Sequence, residues 1–216
     1  MSAEATTQSK LKEVWERFGD ALGSTPLHPQ FFAKKFAAKA RRVAIERATG
    51  IVADVGSGRA PYKAEIEAKK NVSKYLTIDH PEATELYSKD YPLDVKADIA
   101  KEIPLKNQTV DTVLLLMVLE HVPQPSAALG EIHRILKPGG ELILSTVMTH
   151  PVHDAPYDFY RYTRFGIASL LEKNDFELVE LGWEGASIET AVTILNTTFF
   201  QHIKKFAGAK VWLPSV

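Results

Sequence analysis

From residue 51 onward, short, largely apolar runs alternate with longer stretches whose apolar positions recur every three or four residues. The runs fall at 51–55, 75–79, 95–97, 110–119 and 141–147. A largely apolar run marks a strand covered on both faces, whereas a one-sided antiparallel sheet would alternate apolar and polar positions. Such strands separated by helical stretches predict a parallel sheet, and each parallel pair needs a right-handed crossover, so helices are expected on both faces. The class read from the pattern is α/β, a doubly wound and mostly parallel sheet. One crossover helix opens at Pro125-Ser126, carries Leu129, Ile132, Ile135 and Leu136 on one face, and ends at Lys137-Pro138-Gly139-Gly140, which turns the chain into the fifth strand. Thr163 is placed to cap a helix running to about residue 173. A strand at 176–181 and a helix over 188–206, with Val192, Leu195, Phe199 and Phe200, are expected after it. The stretch between residues 79 and 95 is assigned no element.

Ahead of the sheet, residues 8–19 place Leu11, Val14, Trp15 and Phe18 at helical spacing, and a second helix is expected over about 30–49, stopped by Gly50. The division is therefore an N-terminal helical cap over 1–49 and a core over 50–216, one domain overall. The second helix is basic, with Lys34, Lys35, Lys39, Arg41, Arg42 and Arg47. That composition could serve an anionic substrate or peripheral contact with a membrane surface, or it could be a solvated face.

Composition narrows the classes. The 216 residues carry 26 basic against 27 acidic side chains, a formal net charge of −1 that lacks the footprint of a nucleic-acid binder. Cysteine is absent, which removes disulfides and cysteine-based metal sites, and the N-terminus lacks the basic and apolar regions of a signal peptide, so a cytoplasmic location is expected. The longest apolar run, 113–119, is far too short to span a bilayer and reads as a buried strand.

The chemistry concentrates where runs end. After the first run come Asp54-Val55-Gly56-Ser57-Gly58-Arg59-Ala60-Pro61, a buried strand feeding two glycines spaced by one residue. That suits a turn where backbone must approach a ligand closely. Pro61 stands where the third glycine of a dinucleotide fingerprint would fall, and proline suits the first turn of a helix better than a close crossing beneath a pyrophosphate. After the fifth run, residues 150–163 are dense in polar and aromatic side chains, at the edge where open α/β sheets hold ligands. Histidine titrates near neutrality, so His150, His153 and His121, the last near the end of the fourth run, are candidate bases as well as candidate structural hydrogen-bonders. Arg161 could pair with an acidic group of a substrate or with nearby Asp158. His150, His153 and Asp154 lack helical ligand spacing, and no metal is expected.

Four motifs stand in order: Asp54-Val55-Gly56-Ser57-Gly58, Asp79 at the end of the second run, Leu119-Glu120-His121-Val122, and Leu136-Lys137-Pro138-Gly139-Gly140. Together they resemble the S-adenosylmethionine-dependent methyltransferases of the seven-stranded, Rossmann-like class, in the branch that includes quinone and small-molecule methyltransferases. The resemblance covers about residues 51–183. The loop with His153, Pro156, Asp158 and Tyr160-Arg161-Tyr162-Thr163 further resembles a bacterial subset associated with glycan or cell-surface pathways. The resemblance implies S-adenosyl-L-methionine as cofactor. Gly56 and Gly58 would let the backbone approach its amino-acid end, with Asp54 near its ammonium, Asp79 accepting from both ribose hydroxyls and Asp98 from the adenine amino group. Asp158, Tyr160 and Arg161 would line the acceptor site. The implied reaction is methyl transfer to a small-molecule or glycan-linked acceptor, at oxygen. Rival readings are a NAD-dependent oxidoreductase on a similar sheet and a non-catalytic regulatory protein that binds the same cofactor. Two departures stand out: Ala60 replaces the third glycine of the first motif, and no seventh strand is visible unless Val211-Trp212-Leu213 supplies it.

Overall fold

The computed structural model describes Thr25 and residues 31–82, 92–183 and 187–206. The helix expected over 8–19 and the short strand at Val211-Trp212-Leu213 lie outside these residues. The chain divides into two compact units, one of Lys39–Met148 and Ala155–Gly182, the other of Met1–Ala38, Thr149–Asp154 and Trp183–Val216.

The larger unit is built on strands β1 (Gly50–Val55), β2 (Val72–Asp79), β3 (Val95–Lys96), β4 (Val110–Leu116) and β5 (Leu136–Ser145). They form a five-stranded sheet in the order β3-β2-β1-β4-β5, every pairing parallel. Successive side chains on a strand point to opposite faces, and here both faces are covered, which is why the strands read as largely apolar runs. Ala53, Val55, Val113 and Leu115 pack on Leu129, Ile132 and Ile135 of one helix, Pro125–Ile135, and on Ile167 and Leu171 of another, Arg164–Glu172. On the other face Val52, Tyr75, Leu114 and Ile143 pack on Ala44 of helix α1 (Phe31–Arg47) and Ile66 of α2 (Lys63–Glu67). The first pair are accordingly α3 and α4. Thr163 caps α4 as expected, its hydroxyl accepting from the Gly166 N–H at 3.0 Å.

At the N-terminal edge of the sheet, Asp111 accepts from the Ile51 N–H at 2.8 Å and from Lys137 Nζ at 2.8 Å with both oxygens, tying β1, β4 and β5 together. At the other edge, the chain leaves β1 toward β2 and β3 and later returns to place β4 on the opposite side of β1. Loops following β1 and β4 therefore diverge, opening the crevice where sheets of this class hold ligands.

Three expectations need correction. The helix expected to carry Leu136 and end in a turn at Lys137-Pro138-Gly139-Gly140 stops at Ile135, and Leu136 pairs with Val110 as the first residue of β5, which runs to Ser145 rather than over 141–147. The strand expected over 110–119 ends at Leu116: Met117 takes a positive φ of 59°, and Leu119–His121 form a 3-10 turn. Hydropathy could not separate strand from turn because Leu119 is as buried as the strand before it. The strand expected at 176–181 does not form. Among the described residues nothing pairs with it, and Leu178, Val179 and Leu181 are exposed.

In the described part of the other unit, the first half of α1 and helix α5 (Ser187–Phe206) are tied by Lys35 Nζ and Glu189 Oε1 at 3.1 Å. Among the described residues no helix is long and apolar enough to cross a membrane.

Candidate functional site

The turn after β1 is shaped by three residues at positive φ: Gly56 at 74°, Gly58 at 51° and Ala60 at 47°. The N–H groups of Gly56 and Ser57 both point at the Ile78 carbonyl, at 2.8 and 3.2 Å, which binds the turn to the end of β2. Gly56 also lies against the turn after β4, since a Cβ on it would stand 2.3 Å from Val118 Cγ2. Ala60 sits where the sequence lacks the third glycine of its motif, and it carries the backbone strain that glycine would relieve. An L-residue in this region costs about 1–2 kcal/mol, partly offset by the roughly 0.5–1 kcal/mol of chain entropy that glycine loses on folding. Ala60→Gly is therefore expected to stabilise the protein by up to about 1 kcal/mol, read as a higher urea midpoint at constant slope.

Three carboxylates gather at the same edge. Asp79 closes β2 and accepts from the Gly58 N–H at 2.8 Å with one oxygen and from the His80 N–H at 2.7 Å with the other. Burial raises its pKa, against the pull of those two hydrogen bonds. Each oxygen keeps acceptor capacity for a further donor. Asp54, one residue before the end of β1, is 3% exposed and accepts from the Tyr75 hydroxyl at 2.5 Å. Burial pushes Asp54 up to about 6, the Tyr75 hydrogen bond opposes that rise, and the charge of Asp79 adds to it. Asp98 follows β3, accepts from the Ala100 N–H at 3.1 Å and pairs with Lys101 Nζ at 3.0 Å. Burial pushes Asp98 up, but Lys101 and the Ala100 N–H outweigh it and hold the carboxyl below its usual range.

The 3-10 turn after β4 seats residues 157–162. The Glu120 carbonyl accepts from the N–H groups of Phe159 and Tyr160 at 3.0 and 3.1 Å, and the Tyr160 hydroxyl donates to the Pro123 carbonyl at 3.1 Å. The His121 ring meets the Tyr157 carbonyl at 2.7 Å through Nδ1. A carbonyl only accepts, so Nδ1 carries the proton and Nε2 is the basic nitrogen of the neutral ring. Arg161 forms a bidentate pair with Asp158, 2.6 and 2.7 Å, so the internal alternative for its partner is realised. The Glu120 side chain is wholly buried, with one oxygen accepting from the Thr146 hydroxyl at 2.9 Å.

Among the described residues, three buried side-chain polar atoms make no hydrogen bond: Ser57 Oγ, Glu120 Oε1 and Ser145 Oγ. Ser57 follows β1, Glu120 follows β4 and Ser145 ends β5, so all three lie at the C-terminal edge of three adjacent strands. A buried polar atom without a partner costs about 1–3 kcal/mol, and its concentration at one sheet edge marks a place built for a ligand's polar groups.

Residues 53–144 match the family model described as the methyltransferase domain. The chain carries a methyltransferase domain of the Rossmann-like class. Over 64 residues, 30% of its length, the chain is 39% identical to a ubiquinone biosynthesis O-methyltransferase of Pseudomonas syringae pv. tomato, of which it covers 26%. It is 29% identical over 126 residues to a probable S-adenosylmethionine-dependent methyltransferase of Mycolicibacterium smegmatis, covering 56% of this chain and 48% of that protein. The chain thus spans a quarter to a half of the length of these relatives. In fold it is similar to the crystal structure of a putative methyltransferase from Bacillus halodurans, with a TM-score of 0.56 and 20% identity over 81% of this chain and 85% of that one.

The cofactor of this family is S-adenosyl-L-methionine, and the edge of the methyltransferase domain fits it. A turn of left-handed backbone, acids at the ends of β1 and β2 and unpartnered hydroxyl and carboxyl oxygens suit a ligand bearing hydroxyls, an ammonium and a positive sulfur. Asp54, Gly56, Gly58 and Asp79 come together at the ends of β1 and β2, while Asp98 follows β3. His121, Asp158, Tyr160 and Arg161 are joined through the turn after β4. His150 and His153 belong to the other compact unit, where each ring approaches the Pro151 carbonyl through Nδ1 at 3.0 and 3.1 Å. Sequence reasoning gave no role to Tyr75, Glu120 or Thr146. Glu120 carried a signal, an acid directly after an apolar run, but Tyr75 and Thr146 are legible only through partners 21 and 26 residues away.

Proposed function

We propose that this chain transfers a methyl group from S-adenosyl-L-methionine to an oxygen of a small-molecule or glycan-linked acceptor, in the cytoplasm. The observation that carries the reading is the set of three unpartnered buried polar atoms at the ends of β1, β4 and β5, beside the left-handed turn and Asp79. Oxygen as the acceptor atom is supported by the likeness to the Pseudomonas O-methyltransferase. When bound, the cofactor supplies an electrophilic methyl on a positive sulfur. What falls to the protein is positioning, since an in-line displacement needs the acceptor close to the methyl and collinear with the leaving sulfur.

Asp79 holds the ribose through two oxygens, and the Gly56-Ser57-Gly58 backbone lies against the amino-acid end. Asp98 meets the adenine amino group with the acceptor capacity left beside Lys101. The segment with Asp158, Tyr160 and Arg161, seated on Glu120 and His121, lines the acceptor site. The proton lost by an acceptor hydroxyl goes to a histidine: Nε2 of His121, His150 or His153 is the basic nitrogen once Nδ1 donates to a carbonyl.

Calorimetry with S-adenosylhomocysteine and NAD tests the reading. The homocysteine product is expected to bind stoichiometrically and NAD not to bind. Asp79→Ala should weaken product binding by about 1.5–3 kcal/mol, the range for hydrogen bonds to a charged group. Unchanged affinity in that variant would remove Asp79 from the site, and preferential binding of NAD would return the domain to the oxidoreductase reading.

A further inference from the structure

Asp54 shares a sheet face with Val52, among Ile66, Tyr75 and Leu114. Among the described residues its one hydrogen bond comes from Tyr75, to Oδ2, and Oδ1 receives none. Tyr75 is 4% exposed, and its ring fills space that phenylalanine would fill as well, so the hydroxyl is the part that phenylalanine could not supply. Resting on the methyltransferase reading above, we propose that Tyr75 is the positioning residue for the amino-acid end of the cofactor: it fixes one oxygen of Asp54 so that the other is presented to the cofactor's ammonium.

The electrostatics around the pair agree. Burial, with the charge of Asp79 from the end of β2, pushes the Asp54 carboxyl toward its neutral form, and the hydrogen bond from Tyr75 favours the ionised one. The Tyr75 hydroxyl is itself pushed far above its ordinary value, by burial first, then by Asp54, with smaller contributions from Tyr62 and from Glu67 of α2, so it remains a donor at any ordinary pH. Tyr62 is raised by burial and by Asp54, and Arg41 of α1 offsets part of that. Among the described residues the group hydrogen-bonding the Asp54 carboxylate is a neutral phenol, which orients the charge without cancelling it. A cation such as Lys or Arg in its place would compete with the ligand's ammonium.

The experiment is titration of S-adenosylhomocysteine, which keeps the ammonium, into wild type, Tyr75→Phe, Asp54→Asn and the double variant between about pH 5 and pH 8. Wild-type affinity should fall on acidification with a midpoint near 6, as Asp54 becomes neutral. Tyr75→Phe removes a hydrogen bond to the charged form, so the midpoint should move to higher pH and affinity at neutral pH should drop about 10–100-fold. In the Asp54→Asn background the same change should add almost nothing. A folded Tyr75→Phe protein with wild-type affinity and midpoint overturns the proposal, as does an affinity loss that is uniform in pH and undiminished in the Asp54→Asn background. Should Tyr75→Phe not fold, Asp54→Asn alone still decides, because its affinity should then be flat across the same range and a persisting midpoint overturns the assignment. Absence of product binding by wild type at every pH would sink the methyltransferase reading and this one together. Binding by wild type without the Tyr75 effect sinks only this one.

Discussion

Gly56→Ala is expected to disable the turn after β1 proposed to hold the cofactor, with product binding lost and the fold weakened by about 2–5 kcal/mol. Two independent penalties meet at this position. The backbone sits at φ 74°, where an L-residue costs about 1–2 kcal/mol. The added methyl would also fall 2.3 Å from Val118 Cγ2 and 2.8 Å from Cγ1, against a side chain with little rotamer freedom. Relief must come from moving the ends of β1 or β4, the two strands that flank the crevice. Gly58→Ala is the control: its φ is also positive, at 51°, but nothing lies within 4 Å of the new methyl, so only the backbone penalty should appear. Denaturant unfolding of both variants separates the terms. Equal losses would show that Val118 gives way freely and that the steric argument is wrong. Combining Gly56→Ala with Val118→Ala should return part of the stability but not the part owed to φ.

The sheet was legible because each strand announced itself locally. A largely apolar run bounded by acids and glycines reads as a doubly covered strand, and such strands form β1, β2 and β4 with helices on both faces. Capping at Thr163 and the turn at Gly56 were equally local, each depending on one residue's chemistry. The errors fell where hydropathy carries no information about partners. Residues 176–181 are apolar enough for a strand but find no pairing among the described residues, and Leu119 is buried in a turn rather than in β4. The departure at Ala60 was visible in the sequence; its consequence, an alanine held at φ 47°, required the backbone.

The proposed cofactor edge divides along the same line. Asp79 and the glycine turn could be placed from sequence because strand ends in a parallel sheet converge on one edge. The Tyr75 to Asp54 and Thr146 to Glu120 contacts could not, since both cross between strands and depend on register. Arg161 was the ambiguous case, with an internal and an external partner both allowed by its spacing from Asp158, and geometry favours the internal one.

Arg161→Ala should therefore unseat the segment over 157–162 and destabilise the protein by about 3–5 kcal/mol, because it takes the bidentate cation from a buried carboxylate. The Asp158 side chain is 3% exposed and that of Arg161 26%, so water cannot replace the guanidinium where it is lost. The hydrogen bond to Asp158 holds the Arg161 pKa above its usual value; burial opposes that, and the charges of Asp158 and Glu120 reinforce it. Removing both partners, Asp158→Ala with Arg161→Ala, should cost less than removing the arginine alone, since no unpaired charge remains. Product affinity should suffer less than stability, because Asp79 and the glycine turn bond to each other and to β2 rather than to this segment. Thermal unfolding of the single and double variants, with calorimetry on the folded fraction, checks both halves. An Arg161→Ala protein with wild-type stability and full product binding, but no turnover of any acceptor, would reverse the assignment and give the guanidinium to an acidic group on the substrate.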